Sequence, residues 1–517
     1  MNDFADRRVT VMGLGRFGGG LGVTRFLAQR GAQVLVTDTL PAEELAESTA
    51  ALQDLVDAGR VTLRLGEHRT QDFTDTDLVV VNPAVRPGNA FVEAARSAGV
   101  PITSEIRLLV QHLPNRLKTI GVTGSAGKST TTAMTAHILR AMLGQDGERP
   151  RRQDARTPRG SGSRVEASAE TAAFEGGGHS GGYSGGGVWM GGNIGGSLLP
   201  CVDQILPEDW VVLELSSFML EGLREDRWSP HIAVITNISP NHLDWHGSME
   251  AYVQAKRAIL ESQKRDDFFV FGPGVMHYLR PPDDGREGSV ADWPNHNGGD
   301  VTPFFDGAVR SPLPGPHNLL NARIAVETCG LLGIGLSDLE GYPVETKASK
   351  FLADFHGLPH RLQFVGEIDG IRCYDDSKST TPEAAMLAIE SFPGHRVRLI
   401  LGGYDKGSDF AEAAQFAART CHGVYTIGAT GDAIAKLVED EVRRTSSGCV
   451  VRRFETLDAA VSQAFIDVES GGVLLLSPGC ASWDQFANYE ERGRRFVELV
   501  RAAEQRVQAD DMKKPTD

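Results

Sequence analysis

A glycine-rich turn followed by Lys128 and Ser129 has the residue types best suited to chemistry in this chain. The turn, Thr123–Gly127, lies in KTIGVTGSAGKSTTTAMTAHIL, after a predicted buried strand at Leu117–Val122 and before a helix from Ser129 onward. Backbone N–H groups of such a turn and the positive end of the helix attract phosphate. A lysine here reaches the terminal phosphates and a serine hydroxyl ligates Mg²⁺. The pattern predicts a nucleoside triphosphate site.

The turn departs from the common phosphate-loop pattern. That pattern requires glycine at position 122, where this chain has Val122, and Gly121 and Gly124 flank the position instead. The alternative is an ordinary strand-to-helix turn in which Gly-Lys-Ser occurs by chance. If the turn does hold a nucleotide, the rest of the chain must supply metal ligands and an acceptor substrate.

A carboxylate follows downstream at Glu214, near the end of the predicted strand Asp209–Leu215. Phosphate-loop proteins place a Mg²⁺ ligand at such a position. The alternative is a solvated glutamate at the end of a strand.

Two further candidates lie between positions 242 and 256. His242, with Asp244 and His246, occupies the loop after a predicted strand at Ile232–Thr236. Lys256 lies on the helix predicted at Tyr252–Leu260, where the alternative is an ordinary surface lysine.

The amino-terminal segment carries a dinucleotide-binding fingerprint. Gly13, Gly15 and Gly18 form G-x-G-x-x-G between the predicted strands Arg8–Met12 and Gln33–Thr37, and Asp38 follows about 20 residues further on. NAD is the usual ligand of this pattern, but a lone fingerprint recurs wherever a βαβ unit holds a phosphorylated ligand. We therefore expect another nucleotide-linked ligand and no NAD binding.

Composition restricts the class of protein. A length of 517 residues suggests three or four domains, and the formal net charge of −16 argues against a general binder of nucleic acid or anionic membrane. The six cysteines form no C-x-x-C, so neither a disulfide framework nor a zinc site is expected. The start lacks a long apolar core and no run approaches membrane-spanning length, so we expect a cytoplasmic protein without membrane insertion.

The order of elements predicts an α/β protein. Residues 142–187 are rich in Arg and Gly with almost no periodic apolar positions, and we expect a flexible, disordered surface insertion there. Predicted strands at Val397–Gly402, Gly423–Ile427 and Gly472–Leu476 alternate with helical segments, which indicates a further doubly wound unit.

Ten motifs in order resemble the Mur ligases over essentially the whole chain outside residues 142–187. They are TGSAGKST, GGNIG, ELSSF, NHLDWHGS, YVQAK, HNLLN, GLPHR, DDSKST, LGGYDKGSDF and SPGCASWDQFANYEERG. The last five are similar to the branch that adds D-glutamate to UDP-N-acetylmuramoyl-L-alanine. The resemblance implies a monomeric, ATP-dependent amide ligase of peptidoglycan precursor synthesis, with no nucleic-acid partner. Another Mur-type ligase or a folylpolyglutamate-synthase-like ligase is the alternative, and a nucleotide switch or NAD-dependent oxidoreductase is the alternative from a different class.

The family fold implies three domains. A Rossmann-like domain at 1–115 would bind the UDP end of the substrate, a phosphate-loop domain at 116–356 would bind ATP, and a Rossmann-like domain at 357–517 would bind the amino acid.

The resemblance also assigns roles by position. Phosphate and metal binding would fall to Gly124, Ser125, Ala126, Gly127, Lys128, Ser129, Thr130, Glu214 and His242. Lys256 would be carbamylated and ligate a second Mg²⁺, and Lys128, His242, Lys256 and Arg361 form the catalytic set. ATP would be positioned by Asn321, Arg361 and Asp376. The UDP end would meet Arg16, Phe17, Asp38 and Thr39, the muramoyl-peptide would meet Asn193 and Ser216, and D-glutamate would meet Lys378, Thr380, Lys406, Ser482 and Tyr489.

The chain departs from the common family pattern around its phosphate loop. Ser125 and Ala126 replace the usual Thr-Asn, Asn241 replaces an Asp, and Trp245 replaces an Arg. These changes bear on details of metal and nucleotide contacts, and they remove no chemical group that the mechanism requires.

Overall fold

The structure is a computed structural model, and it describes residues 4–15, 20–82, 85–86, 88–144, 187–279, 299–300, 309–332, 350–467 and 471–511. Most of the predicted insertion at 142–187 therefore lies outside the described residues. The described strands form three sheets, and nearly all strand pairs are parallel.

The first sheet has the order β3-β2-β1-β4-β5 and is parallel throughout. Its strands are β1 (Arg8–Met12), β2 (Gln33–Asp38), β3 (Val61–Leu65), β4 (Leu78–Val81) and β5 (Ile102–Thr103). Its helices are α1 (Leu21–Gln29), α2 (Ala46–Ala50), α3 (Gln53–Asp57), α4 (Thr70–Thr74), α5 (Ala90–Ser97) and α6 (Glu105–His112). The strand order reverses between β1 and β4, so the glycine turn after β1 lies at the point where such sheets bind ligands.

The second sheet has the order β11-β10-β9-β6-β8-β7 and is also parallel. Its strands are β6 (Thr119–Thr123), β7 (Val188–Gly192), β8 (Trp210–Glu214), β9 (Ile232–Ile235), β10 (Phe268–Phe271) and β11 (Gly299–Asp300). The helices of this part of the chain are α7 (Lys128–Met142), α8 (Ser217–Glu225), α9 (Leu243–His246), α10 (Met249–Glu261), α11 (Val275–Leu279) and α12 (Pro316–Gly330).

The strand predicted from Leu117 begins two residues later, at Thr119. The Asn115 side chain accepts a hydrogen bond from Leu117 N at 3.0 Å and caps a short 3₁₀ turn at Arg116–Lys118. This local side-chain bond competes with strand pairing, so Leu117 is left 53% exposed instead of entering the sheet.

The third sheet has the order β12-β13-β17-β14-β15-β16, with β12 antiparallel to β13 and the remaining pairs parallel. Its strands are β12 (Gln363–Ile368), β13 (Ile371–Asp375), β14 (Val397–Gly402), β15 (Gly423–Ile427), β16 (Val450–Arg453) and β17 (Val473–Leu476). Its helices are α13 (Pro382–Glu390), α14 (Ala411–Thr420), α15 (Gly431–Thr445), α16 (Leu457–Ile466) and α17 (Tyr489–Asp511).

The chain divides into two compact units. The first comprises Met1–Val309 and Asn321–Phe351 and holds the first two sheets, and the second comprises Arg310–Leu320 and Leu352–Asp517 and holds the third. One continuous apolar core joins the first two sheets. Arg107 also reaches from α6 to Asp226, at the end of α8, with Nε 2.8 Å from the carboxylate.

The architecture confirms the predicted α/β class with parallel sheets. The domain boundaries at 115 and 356 stay predictions. Among the described residues, no helix combines the length and apolar character that crossing a membrane requires.

Candidate functional site

The carboxyl ends of three neighbouring strands meet at one edge of the second sheet. Val122 of β6 pairs with Glu214 of β8, and Thr123 pairs with Ile235 of β9. The phosphate loop 124–127 therefore begins beside Glu214 and beside the segment that follows β9. Parallel sheets bind ligands at this edge.

Two glycines of the loop have no room for a side chain. Gly124 has φ +149°, and a Cβ there would lie 1.9 Å from Thr236 Oγ1. Gly127 has φ +78°, and a Cβ would lie 2.3 Å from Asn321 Oδ1. The tight loop thus depends on glycine both for conformation and for close approach.

The loop is tied to the segment after β9 and to α10. Ser125 Oγ donates to Ser239 O at 2.8 Å, and Ser239 N donates back to it at 2.8 Å. Because a hydroxyl has one proton, the 3.0 Å contact between Ser125 Oγ and Tyr252 OH must have tyrosine as the donor. Sequence reasoning did not assign Tyr252, although it lies one helical turn before Lys256.

Two lysine side chains converge on one carbonyl oxygen of the loop. Lys128 Nζ donates to Gly124 O at 3.0 Å, and Lys256 Nζ donates to the same oxygen at 2.8 Å. Lys256 is 1% exposed, so the alternative of an ordinary surface lysine is wrong. Burial, together with the nearby charge of Lys128, lowers the pKa of Lys256 to about 6.

Glu214 is 1% exposed, which makes the alternative of a solvated strand-end glutamate wrong. Its Oε1 accepts a bond from Asn193 Nδ2 at 2.8 Å, whereas the buried Oε2 has no hydrogen-bond partner among the described residues. A buried carboxylate oxygen without a donor is costly unless something else satisfies it. Oxygen of this kind is what Mg²⁺ prefers.

His242 is the N-cap residue of α9, with φ +53°, and lies in a cluster of aromatic rings. Its ring centroid is 5.0 Å from that of Phe218, and Phe218 stacks on His246 at 5.5 Å. His246 Nε2 is 2.9 Å from Ser217 Oγ, which fixes that second histidine. The ring centroid of Trp245 lies 4.6 Å from that of Phe218.

The residues present fit a phosphate-bound Mg²⁺. Among the described residues, no group of three or more His, Cys, Asp or Glu side chains is arranged as a metal site. The predicted set contains only two residues of those types, Glu214 and His242, and adds Ser129 and Lys256. The unsatisfied Glu214 oxygen and the glycine loop are the features that support a metal bound together with phosphate.

The other residues predicted around this edge have structural partners. Ser129 and Thr130 are buried in the first turn of α7. Ser216 caps α8 by accepting from Met219 N at 3.2 Å. Asn321 is buried on α12, where its Oδ1 accepts from Thr131 Oγ1 at 3.4 Å.

In the first sheet, Asp38 shapes the glycine turn. Its Oδ2 accepts from Leu14 N at 2.9 Å and Gly15 N at 3.0 Å, and its Oδ1 accepts from Leu40 N at 2.9 Å. Thr39 is exposed at the end of β2. Arg16 and Phe17 lie outside the described residues.

In the second unit, the buried end of β13 leads into the residues predicted to position ATP. Asp376 accepts from Leu362 N at 3.1 Å and from Ser477 Oγ at 2.8 Å. Burial raises the pKa of its carboxyl to about 7. Leu362 directly follows Arg361, so its N–H bond to Asp376 brings the two predicted residues close together, and the charge of Arg361 opposes the rise in pKa.

Of the residues predicted to bind D-glutamate, Lys378, Thr380, Lys406 and Ser482 lie on loops of the same sheet, and Tyr489 is the first residue of α17. Lys378 Nζ is 5.1 Å from the centre of the Tyr489 ring, and Lys406 Nζ is 4.6 Å from that of Trp483. Thr380 is partly buried, and Ser482 is 2% exposed. Two cations therefore lie on aromatic faces.

A buried arginine that sequence reasoning missed ties these loops together. Arg492 is 1% exposed, and its Nη2 donates to Ser377 O at 2.8 Å and to Cys480 O at 3.0 Å. Its Nε donates to Ser377 Oγ at 3.0 Å, and that hydroxyl donates to Tyr489 O at 2.7 Å. Burial lowers the pKa of Arg492 to about 10. The signal in the sequence was its position in NYEERG, beside Tyr489.

Three mainly parallel sheets and a phosphate loop define a multidomain nucleotide-binding α/β class, and comparison with known proteins identifies the family within that class. Three family descriptions match the chain: the N-terminal domain of MurD-like Mur ligases at residues 7–104, the Mur ligase middle domain at 204–273, and the Mur ligase glutamate ligase domain at 360–480. The chain belongs to the Mur ligase family.

Similar sequences extend over nearly the full chain. The UDP-N-acetylmuramoylalanine–D-glutamate ligase of Acidobacterium capsulatum is 34% identical over 515 residues, with 96% of each chain covered. The protein of the same name from Symbiobacterium thermophilum is 35% identical over 517 residues, covering 96% of this chain and 98% of its own.

Solved structures share the fold. The UDP-N-acetylmuramate–alanine ligase MurC of Thermotoga maritima has a TM-score of 0.51 at 20% identity, covering 96% of this chain and 100% of its own. MurF ligase of the same organism, in complex with ADP, has a TM-score of 0.50 at 15% identity, covering 98% and 96%.

Proposed function

We propose that this chain is an ATP-dependent ligase that joins D-glutamate to the L-alanyl carboxylate of UDP-N-acetylmuramoyl-L-alanine in peptidoglycan precursor synthesis. The observation that carries the proposal is the match to relatives of that name over 96% of the chain. The same match includes the third sheet, whose loops carry the cations expected to meet the carboxylates of D-glutamate.

The reaction requires activation because a carboxylate and an ammonium ion do not form an amide spontaneously in water. The L-alanyl carboxylate oxygen attacks the γ-phosphorus of ATP, and the bond between that phosphorus and the β–γ bridging oxygen breaks. ADP departs, and the product on the substrate is an acyl phosphate. The D-glutamate amine then attacks the acyl carbon, loses a proton, and expels inorganic phosphate.

In this proposal the chain contributes mainly positioning and charge stabilisation. Lys128 and the start of α7 hold the transferred phosphate, and Arg361 stabilises its charge. Asn321 and Asp376 position ATP. Ser129, Glu214 and His242 would hold Mg²⁺, which when bound would neutralise phosphate charge.

We further propose that Lys256 is carbamylated and holds a second Mg²⁺. Burial and the charge of Lys128 disfavour a second ammonium group at this place, and both lysines already share Gly124 O. Addition of carbon dioxide to the neutral amine forms a nitrogen–carbon bond, and release of one proton leaves an anion with two oxygen ligands, suited to a hard cation. The resemblance of YVQAK to the family motif supports the same assignment.

The substrates are assigned by the same reasoning. Asn193 and Ser216 would contact the muramoyl-peptide, and the bond between Asn193 and Glu214 would couple it to the metal ligand. Lys378, Thr380, Lys406, Ser482 and Tyr489 would hold D-glutamate. The glycine turn after β1, with Arg16, Phe17, Asp38 and Thr39, would hold the UDP end. A monomeric state and a cytoplasmic location stay predictions.

One assay tests the function directly. Purified protein, ATP, Mg²⁺ and UDP-N-acetylmuramoyl-L-alanine should incorporate radiolabelled D-glutamate, and phosphate release should require both the amino acid and the UDP-linked substrate. L-glutamate, L-lysine and folate acceptors serve as controls. Incorporation of another amino acid in preference to D-glutamate would assign the chain to a different ligase.

A further inference from the structure

The second residue after β9, Asn237, makes an unusual set of contacts with the phosphate loop. Its side-chain Oδ1 accepts from Ala126 N at 2.9 Å, and its Nδ2 donates to Ala126 O at 2.9 Å. Its own backbone oxygen accepts from Ser125 N at 3.0 Å. One residue therefore satisfies both polar backbone groups of Ala126 and the N–H of Ser125.

These contacts decide which donors of the loop can meet phosphate. The N–H groups of Ser125 and Ala126 are both committed to Asn237. The first N–H groups of a helix have no partner within the helix, so the N–H groups at the start of α7 are the donors that we expect to meet an anion. The usual arrangement, in which the whole loop wraps the phosphates, does not apply at these two positions.

The sequence explains why such a support is needed. This loop lacks the first glycine of the common pattern, with Val122 buried in β6 instead. It also carries Ala126, whose methyl group cannot hydrogen-bond to neighbouring backbone. Thr236 Oγ1 adds a further bond to Ala126 O at 2.6 Å. The peptide group of Ala126 is therefore fixed by the two residues that follow β9, Thr236 and Asn237, because the Ala126 side chain cannot form hydrogen bonds.

We propose that Asn237 is a positioning residue for nucleotide binding, whose amide fixes the peptide group of Ala126 and so presents the start of α7 to the phosphates. The role requires one donor and one acceptor on the same short side chain. Aspartate keeps the shape but supplies no donor, so it would place a carboxylate oxygen against Ala126 O. Alanine removes both bonds.

The chain offers a matched control at the opposite end of β6. Asn115 also uses both ends of its amide on backbone, accepting from Leu117 N at 3.0 Å and donating to Pro207 O at 2.9 Å. Asn115 lies in the same unit and precedes the first residue of β6, whereas the phosphate loop follows the last residue of β6. Substituting either asparagine removes a comparable pair of bonds, and only one pair adjoins the loop.

The test compares N237D and N237A with N115D and N115A in the full-length protein. Calorimetry with ATP and ADP gives Kd, steady-state ligation gives KM for ATP and for D-glutamate, and thermal unfolding gives Tm. We expect the Asn237 variants to weaken nucleotide binding about 10- to 100-fold, as loss of a supporting contact typically does. In the Asn237 variants, KM for D-glutamate should stay near the wild-type value. In the Asn115 variants, Kd and KM should stay near wild type, and only Tm should change.

Equal effects of the Asn115 and Asn237 variants on nucleotide Kd would overturn the proposal, as would unchanged Kd in N237D. If the Asn237 variants do not fold, Thr236→Val removes another bond to Ala126 O and should weaken nucleotide binding in the same direction. Unchanged Kd in that folded variant would then overturn the proposal. Of these measurements, only the ligation assay depends on the proposed function, since nucleotide Kd can be measured without ligation. A wild-type protein that binds ATP but does not ligate D-glutamate would refute the function and leave the Kd comparison intact.

Discussion

At the scale of single residues, the site is defined by charges that the chain places in unfavourable surroundings. Among the residues that the structure describes, buried Glu214 has one oxygen without a hydrogen-bond partner, and Lys256 is buried beside another lysine. Such arrangements cost stability, and folded proteins retain them mainly where a ligand or a reaction uses them.

Lys128→Ala should reduce kcat for ligation by about 10²- to 10³-fold, because it removes a preorganised cation where phosphoryl charge develops. Steady-state phosphate release measures the effect, and circular dichroism checks the fold. Lys436→Ala, on an exposed position of α15, is the matched control and should behave as wild type. Near wild-type turnover in the Lys128 variant would refute the assigned role.

Lys256→Ala should lose nearly all activity, and short-chain carboxylates should restore part of it. Acetate or propionate would supply oxygen ligands in the space that the side chain leaves. Lys256→Arg, which cannot be carbamylated, should be inactive and resistant to rescue. Full activity of the alanine variant without added carboxylate would contradict the carbamate.

The residue types of the site were predictable from sequence, whereas their supports were not. Lys128 and Glu214 are suggested by the phosphate and metal chemistry expected at those points along the chain, whereas Lys256 is suggested by the resemblance of YVQAK to the family motif. Asn237 and Arg492 form hydrogen bonds with backbone carbonyl and N–H groups of nearby loops. The sequence alone does not distinguish them from any other polar residue at the end of a loop. Only the fold shows which of them meets a loop.

At the scale of elements, two buried strands of the third sheet have the predicted bounds, whereas a strand at the edge of that sheet was missed. β14 and β15 begin and end as predicted, because both are mainly apolar segments in which every residue is buried. β16 was not predicted. It is the mainly exposed sequence VVRR at a sheet edge, and its apolar content is too low to distinguish it from a loop.

The contact between α10 and the phosphate loop gives a prediction at this scale. Tyr252→Phe and Ser125→Ala each remove one side of the bond between Tyr252 OH and Ser125 Oγ. A double-mutant cycle on the free energy of unfolding in urea should give a coupling of about 0.5–1.5 kcal/mol.

Exposed Tyr278→Phe on α11, combined with Ser125→Ala, provides the additive control. Zero coupling between Tyr252 and Ser125 would show that helix and loop are independent.

At the scale of the whole molecule, one buried carboxylate links the amino ends of several elements of the second sheet. Asp267, before β10, accepts from Arg116 Nη2 at 2.9 Å and contacts His231 Nδ1 at 2.8 Å. Burial opposes its ionisation, but the bonds from His231 and Arg116 outweigh burial and lower its pKa to about 2.

Because the pKa of Asp267 is lower in the folded chain than in the unfolded one, its stabilisation is present above about pH 4 and is lost as pH falls towards 2. We expect Asp267→Asn to cost about 2 kcal/mol in free energy of unfolding at pH 7. The difference from wild type should shrink by pH 2.5 in urea titrations. Asp54→Asn, at an exposed ion pair, should change little at either pH. A cost for Asp267→Asn that is independent of pH would contradict the assignment.

The first sheet should not bind NAD(H) despite its fingerprint. The Asp38 carboxylate that usually meets a ribose hydroxyl already accepts three backbone N–H groups. Calorimetry should detect UDP-N-acetylmuramoyl-L-alanine and not NAD(H). Tight NAD(H) binding with none for the UDP-linked compound would overturn the proposed role of this sheet.

The hydrogen bond between Arg140 Nη2 and Val188 O, at 3.2 Å, bears on how the chain can be rearranged. It joins the last turn of α7 to the first residue of β7, so the two sides of the 145–186 segment are held by tertiary structure and not by the peptide that connects them. The entropy of closing a connection grows slowly, by about 0.6 kcal/mol for each doubling of its length. New chain termini, or a reporter domain, could therefore be engineered between positions 145 and 186 while the second sheet keeps its order.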